Sequence, residues 1–237
     1  MKISSETLSV LKSFTTINPV IYMGNDKNSI QVVKTDKSLI GVFQTAETFD
    51  KECCFWNTSQ LLATIDTLGG ENADLEFDDK FIKISGEGTN VKYLYTDERV
   101  VMKNNPKPLG FTRYSRLFEK NEGYFEFDIN FQTLNNILKL SKILELETVL
   151  IKFDNGQGQI HLVKDENSEG HNFDIEVKGE GSGEIMLNLS NLQIIPGDYT
   201  VMIEQTVKNE KIRKVSKWTN KNIPLFYLVA PKANLKG

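Results

Sequence analysis

Two cysteines and two histidines among 237 residues leave little material for a disulfide framework or a metal centre. Cys53 and Cys54 are neighbours, and adjacent cysteines seldom satisfy disulfide geometry, so both read as buried thiols of a reducing compartment. Neither His161 nor His171 stands at ligand spacing from them, which argues against a structural metal. No run of 18 or more apolar residues occurs, so nothing reads as a membrane-spanning helix. The opening MKISSETLSVLKSF is amphipathic and polar throughout, unlike the unbroken apolar stretch of a signal peptide. A soluble, intracellular protein is expected. An excess of basic charge is missing as well: 28 Lys and Arg face 32 Asp and Glu, a formal charge of −4. That excludes a basic coat over the whole surface and leaves room for a local basic lining.

A catalytic set is also wanting. Neither histidine accompanies a nucleophile motif such as G-x-S-x-G, and GEGSGE (179–184) lacks the Lys-Ser or Lys-Thr of a phosphate loop. It reads as a hairpin, and SGEGTN (85–90) as another turn. Asp78-Asp79, followed by Lys80 between two strands, reads as a turn before it reads as a metal site. No enzyme activity, cofactor or metal is therefore expected, and a small-molecule hydrolase ranks last among the readings.

What the chain does contain is strand signal and a repeat. Runs such as TVLIKFDNGQGQIHLV, ADLEFDDKFIKISG and YTVMIEQTV are rich in β-branched and aromatic residues and are separated by Asp, Asn and Gly turns. The aromatics fall in strand patterns, as in Tyr93 and Tyr95 or Phe125 and Phe127, where packing is the default. Four patches of helical periodicity interrupt them, at 4–16, 58–68, 131–143 and a short one near 189–195. Helix, hairpin, helix and further strands occur once before residue 105 and again after about 120. WNTSQLLATI and LNLSNLQII share Asn57 and Asn188, Ser59 and Ser190, and Leu61 and Leu192, each pair 131 apart. This order predicts a duplicated α+β unit of two helices on antiparallel sheet. The stretch 99–117, with Pro106 and Pro108, suits an extended connector. The expected division is a first domain over 1–105, a connector over 106–118 and a second domain over 119–237.

The helical patches pose a charge question. In NFQTLNNILKLSKIL (130–144), Leu134, Ile137, Leu138 and Leu144 share a broad apolar side, with Leu140 at its edge. Gln132, Asn135, Lys139 and Lys142 share the other side, on which Ile143 is the one apolar residue. In the first helix Leu8, Val10, Leu11, Phe14 and Ile17 oppose Ser5, Ser9, Lys12, Ser13 and Thr16. A helix that only faces water usually mixes Glu with Lys, whereas the carboxylate near these faces is Glu6, in a first turn where the helix dipole favours it. The plain reading is a solvated surface. The alternative is a face built for something negative.

The segments MKISSETLSVLKSFTTIN, LNNILKLSKILELETVLI, NNPKPLGF and LNLSNLQIIPGDYTVMI, with the terminal LFYLVAPKA, resemble the DNA polymerase sliding clamps of T-even-like tailed bacteriophages. The resemblance implies duplicated DNA-clamp domains, helices on one face of antiparallel sheets, closing as a homotrimeric ring around duplex DNA. It implies a processivity factor that tethers the replicative DNA polymerase, is set on DNA by a clamp loader and acts at replication forks in the infected bacterial cytoplasm, with late-transcription activation a further family role. Carried over residue by residue, Lys2, Lys12, Lys139 and Lys142 become DNA-facing positions. Leu39, Met102, Leu109, Leu228 and Pro231 become the apolar pocket for partner peptides. Lys103 and Lys107 in the connector and the ending NLKG depart from the family pattern and bear on partner preference. The alternative function is a β-rich virion or scaffold protein with duplicated domains and no DNA role.

Overall fold

The structure, a computed structural model, describes residues 1–97, 99, 101, 125–164, 173–208 and 211–232. The chain divides into two compact units, Met1–Arg116 and Leu117–Gly237. The expected connector and the pocket residues Met102 and Leu109 lie outside the described residues.

The first unit opens with helix α1 (Ser5–Ile17), followed by strands β1 (Ile21–Asn25), β2 (Ser29–Val33), β3 (Leu39–Gln44) and β4 (Cys53–Phe55). Helix α2 (Thr58–Thr67) then leads to β5 (Asp74–Phe77), β6 (Phe81–Gly86) and β7 (Thr89–Leu94). The strands order β3-β2-β1-β4 and β5-β6-β7. The apolar stripe read in α1 is the one that is buried: Leu8, Val10, Leu11, Phe14 and Ile17 are all between 0% and 8% exposed. Phe14 lies over Gly41 of β3, where even a methyl group would stand 2.9 Å from the ring, so the glycine lets the helix settle onto the sheet. Cys53 and Cys54 are buried free thiols, and burial pushes the Cys53 thiol far above its ordinary value. Phe55 packs against Tyr93 and Tyr95, with ring centroids 6.0 and 5.6 Å apart, as their strand pattern suggested.

The second unit runs β8 (Phe125–Ile129), α3 (Phe131–Ile143), β9 (Thr148–Asp154), β10 (Gln157–Val163), β11 (Phe173–Gly181), β12 (Gly183–Asn188), β13 (Tyr199–Lys208), β14 (Lys211–Asn220) and β15 (Leu225–Val229). Its strands order β12-β9-β10-β11-β8-β13-β14-β15. Alternation selects the core face: along β10, Gly158, Ile160 and Leu162 are buried between exposed or half-exposed neighbours. The β9-β10 hairpin turns on Asn155 and Gly156, with φ of 47° and 82°, as the Asn-Gly pair predicts.

Two expectations are corrected. The short helix near 189–195 is a single 3-10 turn, Leu189–Asn191. The backbone of Ile195 is already committed: its N–H donates to the Tyr227 hydroxyl at 3.3 Å, and its carbonyl accepts from Tyr199 at 2.6 Å. Pro196 follows and disfavours helical backbone before it. GEGSGE is not a hairpin either, because β11 and β12 do not pair with each other. It is a bend around the tip of the β9-β10 hairpin, where the Asn155 N–H donates to the Ser182 hydroxyl at 3.0 Å and the Gly156 N–H to the Gly181 carbonyl at 3.2 Å. SGEGTN does turn a hairpin, between β6 and β7.

Glu47, from the segment after β3, anchors the start of α1. It accepts from the Ser4 N–H at 2.5 Å and from the Thr7 hydroxyl at 2.9 Å. Burial alone would raise its pKa, but the combined donors hold it below the usual carboxylate range. A depressed carboxylate contributes stability above its unfolded pKa and loses it as pH falls through the folded value. Glu47→Gln is therefore expected to cost about 1 kcal/mol at neutral pH. Urea unfolding across a pH series should also show a flatter loss of stability on the acid side than in the parent chain.

Candidate nucleic-acid interface

Helix α3 is positioned from both ends of its first turn. Asn130 is the N-cap, its side chain accepting from the Thr133 N–H at 2.8 Å. The Asp198 carboxylate, contributed from just before β13, accepts from the Phe131 N–H at 2.7 Å. A negative group is favourable at this end of the helix dipole, and Lys142 in the last turn is favourable at the other. Leu134, Ile137 and Ser141 are buried, while Leu138, Leu140 and Leu144 are half-buried. The buried stripe is thus narrower than the run of leucines suggests.

Opposite that stripe stand Gln132, Lys139 and Ile143, flanked by Asn135, Asn136, Lys142 and Phe131. Lys139 and Lys142 are both exposed, and neither has an ion-pair partner among the described residues. The helix has no carboxylate. Ile143, 72% exposed, and Phe131, 47% exposed, add apolar surface beside the ammonium groups. Gln132 donates to Asn136 at 3.1 Å, which fixes one amide along the face. What remains is two mobile point charges among neutral donors, a surface suited to phosphate oxygens and poor at reading base edges.

The first unit differs. Lys2 and Lys12 are exposed. Lys12, however, reaches from α1 to Asp66 on α2 in an ion pair of 2.9 Å. Asp66 carries no sequence signal that marks it as a partner of Lys12. Helical period places it on the outer side of α2, but only packing of the two helices brings it to Lys12.

The described members of the expected peptide pocket are packed: Leu39 is 0% and Leu228 7% exposed, while Pro231 is half-buried. The segment after β15 is tied down by the Lys232 N–H, which donates to the Met186 carbonyl at 2.7 Å, and by Lys232 Nζ on Thr148 Oγ1 at 2.9 Å.

Two units, the first with two described α-helices on antiparallel sheet and the second with one, have the DNA-clamp fold. The solved DNA polymerase III subunit beta of Pseudomonas aeruginosa superposes with a TM-score of 0.68 at 12% identity, over 98% of this chain and 66% of that one. The Helicobacter pylori beta clamp bound to a DNA ligase peptide gives 0.65 at 14% identity, over 98% and 65%. The chain thus spans just under two thirds of these bacterial proteins. By sequence it resembles phage sliding clamps: that of Vibrio phage KVP40 is 26% identical over 86% of this chain and 90% of the relative. The sliding clamp of Escherichia phage RB69 is 23% identical over 86% and 87%. No protein-family model matches the chain.

If Asn130 and Asp198 set the start of α3, Asn130→Ala should cost about 1 kcal/mol of stability. Amide exchange in the first turn of α3 should accelerate in that variant, while exchange in α1 stays unchanged.

Proposed function

We propose that this chain is a sliding clamp that encircles duplex DNA and tethers a replicative polymerase for processive synthesis, without catalysing a reaction itself. What supports this most directly is the exposed face of α3, two lysines and no carboxylate, on a clamp fold in a chain that is acidic overall. A net-acidic protein that binds DNA needs such a local surface. Lys139 and Lys142, with Lys2 and Lys12, attract phosphates without fixing a register, and sliding requires that no base sequence be preferred. Each subunit's own affinity is weak, and retention is topological.

Ring closure needs exposed strand edges, and each unit offers at least one among the described strands. Among the described strands β7 pairs with β6 alone. Residues 173–178 of β11 pair with β10, whereas β8 takes up only Gly179 to Gly181. On β11, Phe173, Ile175 and Val177 form a half-buried apolar row, and on β7 Val91 and Tyr93 do the same. Long exposed edges with half-covered apolar rows are hazards unless another chain covers them. A second copy pairing edge to edge satisfies the backbone and completes both cores. Three copies give the homotrimer of the family resembled.

A clamp loader, the polymerase and short partner peptides are the remaining partners, in the cytoplasm of an infected bacterium. The bound ligase peptide of the Helicobacter pylori clamp supports a peptide site. Leu39, Met102, Leu109, Leu228 and Pro231 are the candidate residues.

Light scattering on a sizing column should give a mass near three times 26.9 kDa, about 81 kDa. Val177→Asp should shift it to the subunit mass without unfolding the chain. A parent chain that stays monomeric at every concentration contradicts the ring. Lys139→Glu with Lys142→Glu should sharply reduce processive synthesis and leave the mass unchanged. Full stimulation of polymerase by that variant would remove α3 from the DNA-facing surface.

A further inference from the structure

The two units present unequal electrostatics on their helices, and Asp66 contributes to the difference by pairing with a lysine. Helices α1 and α2 together carry one lysine, Lys12, against two carboxylates, Glu6 and Asp66. Helix α3 carries two lysines and none. Glu6 sits in the first turn of α1, where the dipole offsets it. Asp66 lies near the far end of α2 and engages Lys12 directly at 2.9 Å. Both side chains are about half exposed, at 54% and 48%, so the pair sits on the surface a ligand would meet.

We infer that Asp66 is an internal phosphate mimic: by holding the Lys12 ammonium it attenuates the grip of the first unit on duplex DNA and leaves α3 to carry most of the phosphate contact. This rests on the sliding-clamp reading. A lysine already paired with a carboxylate must surrender that partner before it takes a phosphate, so its contribution to binding is reduced. Binding also releases fewer condensed counterions than the lysine count implies. An unpaired lysine has no such competitor. The device suits a sliding protein, because every fixed phosphate contact adds friction. Four ring-facing lysines per subunit, all free, would hold the duplex harder than three.

The test is the binding of the full-length chain to a labelled duplex, followed by anisotropy across a salt series, for the parent, Asp66→Asn, Lys12→Gln, the double variant, and Lys139→Gln with Lys142→Gln. Asp66→Asn should tighten binding roughly threefold at low salt. It should also steepen the dependence of log affinity on log salt by up to about 0.9. In the Lys12→Gln background both effects should vanish, since no ammonium remains to release. Lys12→Gln alone should cost less than the α3 double variant does per lysine removed.

Equal tightening by Asp66→Asn with and without Lys12 would overturn the inference, because the carboxylate would then act only as a negative charge. No change in affinity or slope for Asp66→Asn, with weakened binding by the α3 variant, would overturn it too and leave the clamp reading standing. Unchanged binding by the α3 variant would instead refute the assignment of the helices as the DNA face.

Discussion

A helix of about 13 residues that covers a sheet can bury only one stripe of its circumference, and that constraint governs both units. Whatever the sequence places off the stripe is committed to the outside. The direction of the outside is then set at the helix N-terminus, where the chain uses the same device twice with different residues. Glu47 reaches back 43 positions to the start of α1, and Asp198 reaches back 67 to the start of α3. Each satisfies N–H groups that the helix leaves unpaired, and each places a negative charge where the dipole favours it. A cap made by a distant segment fixes the helix relative to its sheet, which a local cap alone cannot do. The polar faces are therefore pointed as well as exposed.

Net charge is a poor guide to such a surface. At physiological salt, exposed charges separated by more than about 8 Å hardly feel one another, so the formal −4 says little about any one face. Much of the acid stands on strands: Asp174, Glu176 and Glu180 of β11 and Glu184 of β12 are all exposed. Acid kept off α3 leaves its two ammonium groups without an ion-pair partner among the described residues. The same logic makes one misplaced carboxylate matter, and Asp66 is such a carboxylate: it lies against a lysine, within hydrogen-bonding distance.

Strict periodicity made α1, α3 and the Asn155-Gly156 hairpin legible in the sequence, because each rests on local rules that packing did not override. The outer lysines followed from the same pattern. Tertiary partners stayed hidden. Glu47, Asp66 and Asp198 act through contacts 40 or more positions away, and nothing in their neighbourhood marks them. GEGSGE misled for a related reason: glycine permits a reversal of the chain but does not say which strands pair afterwards. Leu39 and Leu228 are buried, and residue type alone does not distinguish an apolar side chain of the core from one that lines a pocket.

The repeat itself explains why the halves differ where they do. Asn57 caps α2 by accepting from the Gln60 N–H at 3.1 Å, whereas Asn188, at the matching place 131 positions on, makes no such bond. Both are followed by Ser and then Leu at the same offsets, so the start of the helix is encoded twice. Continuation is not. After Leu61 the chain reads Leu62, Ala63, Thr64 and Ile65, which keeps helical period and buries Leu62 and Ile65. After Leu192 it reads Gln193, Ile194, Ile195 and Pro196, and two tyrosines take the backbone groups of Ile195 that another helical turn would need. Between Ser5 and Thr67 the first unit therefore exposes two α-helices, whereas among the described residues of the second unit only α3 does so. Without an α2 equivalent it has no counterpart of Asp66, and the lysines of α3 stay unpaired among the described residues. The loss of a helix in one half and the survival of its basic face follow from the same few residues.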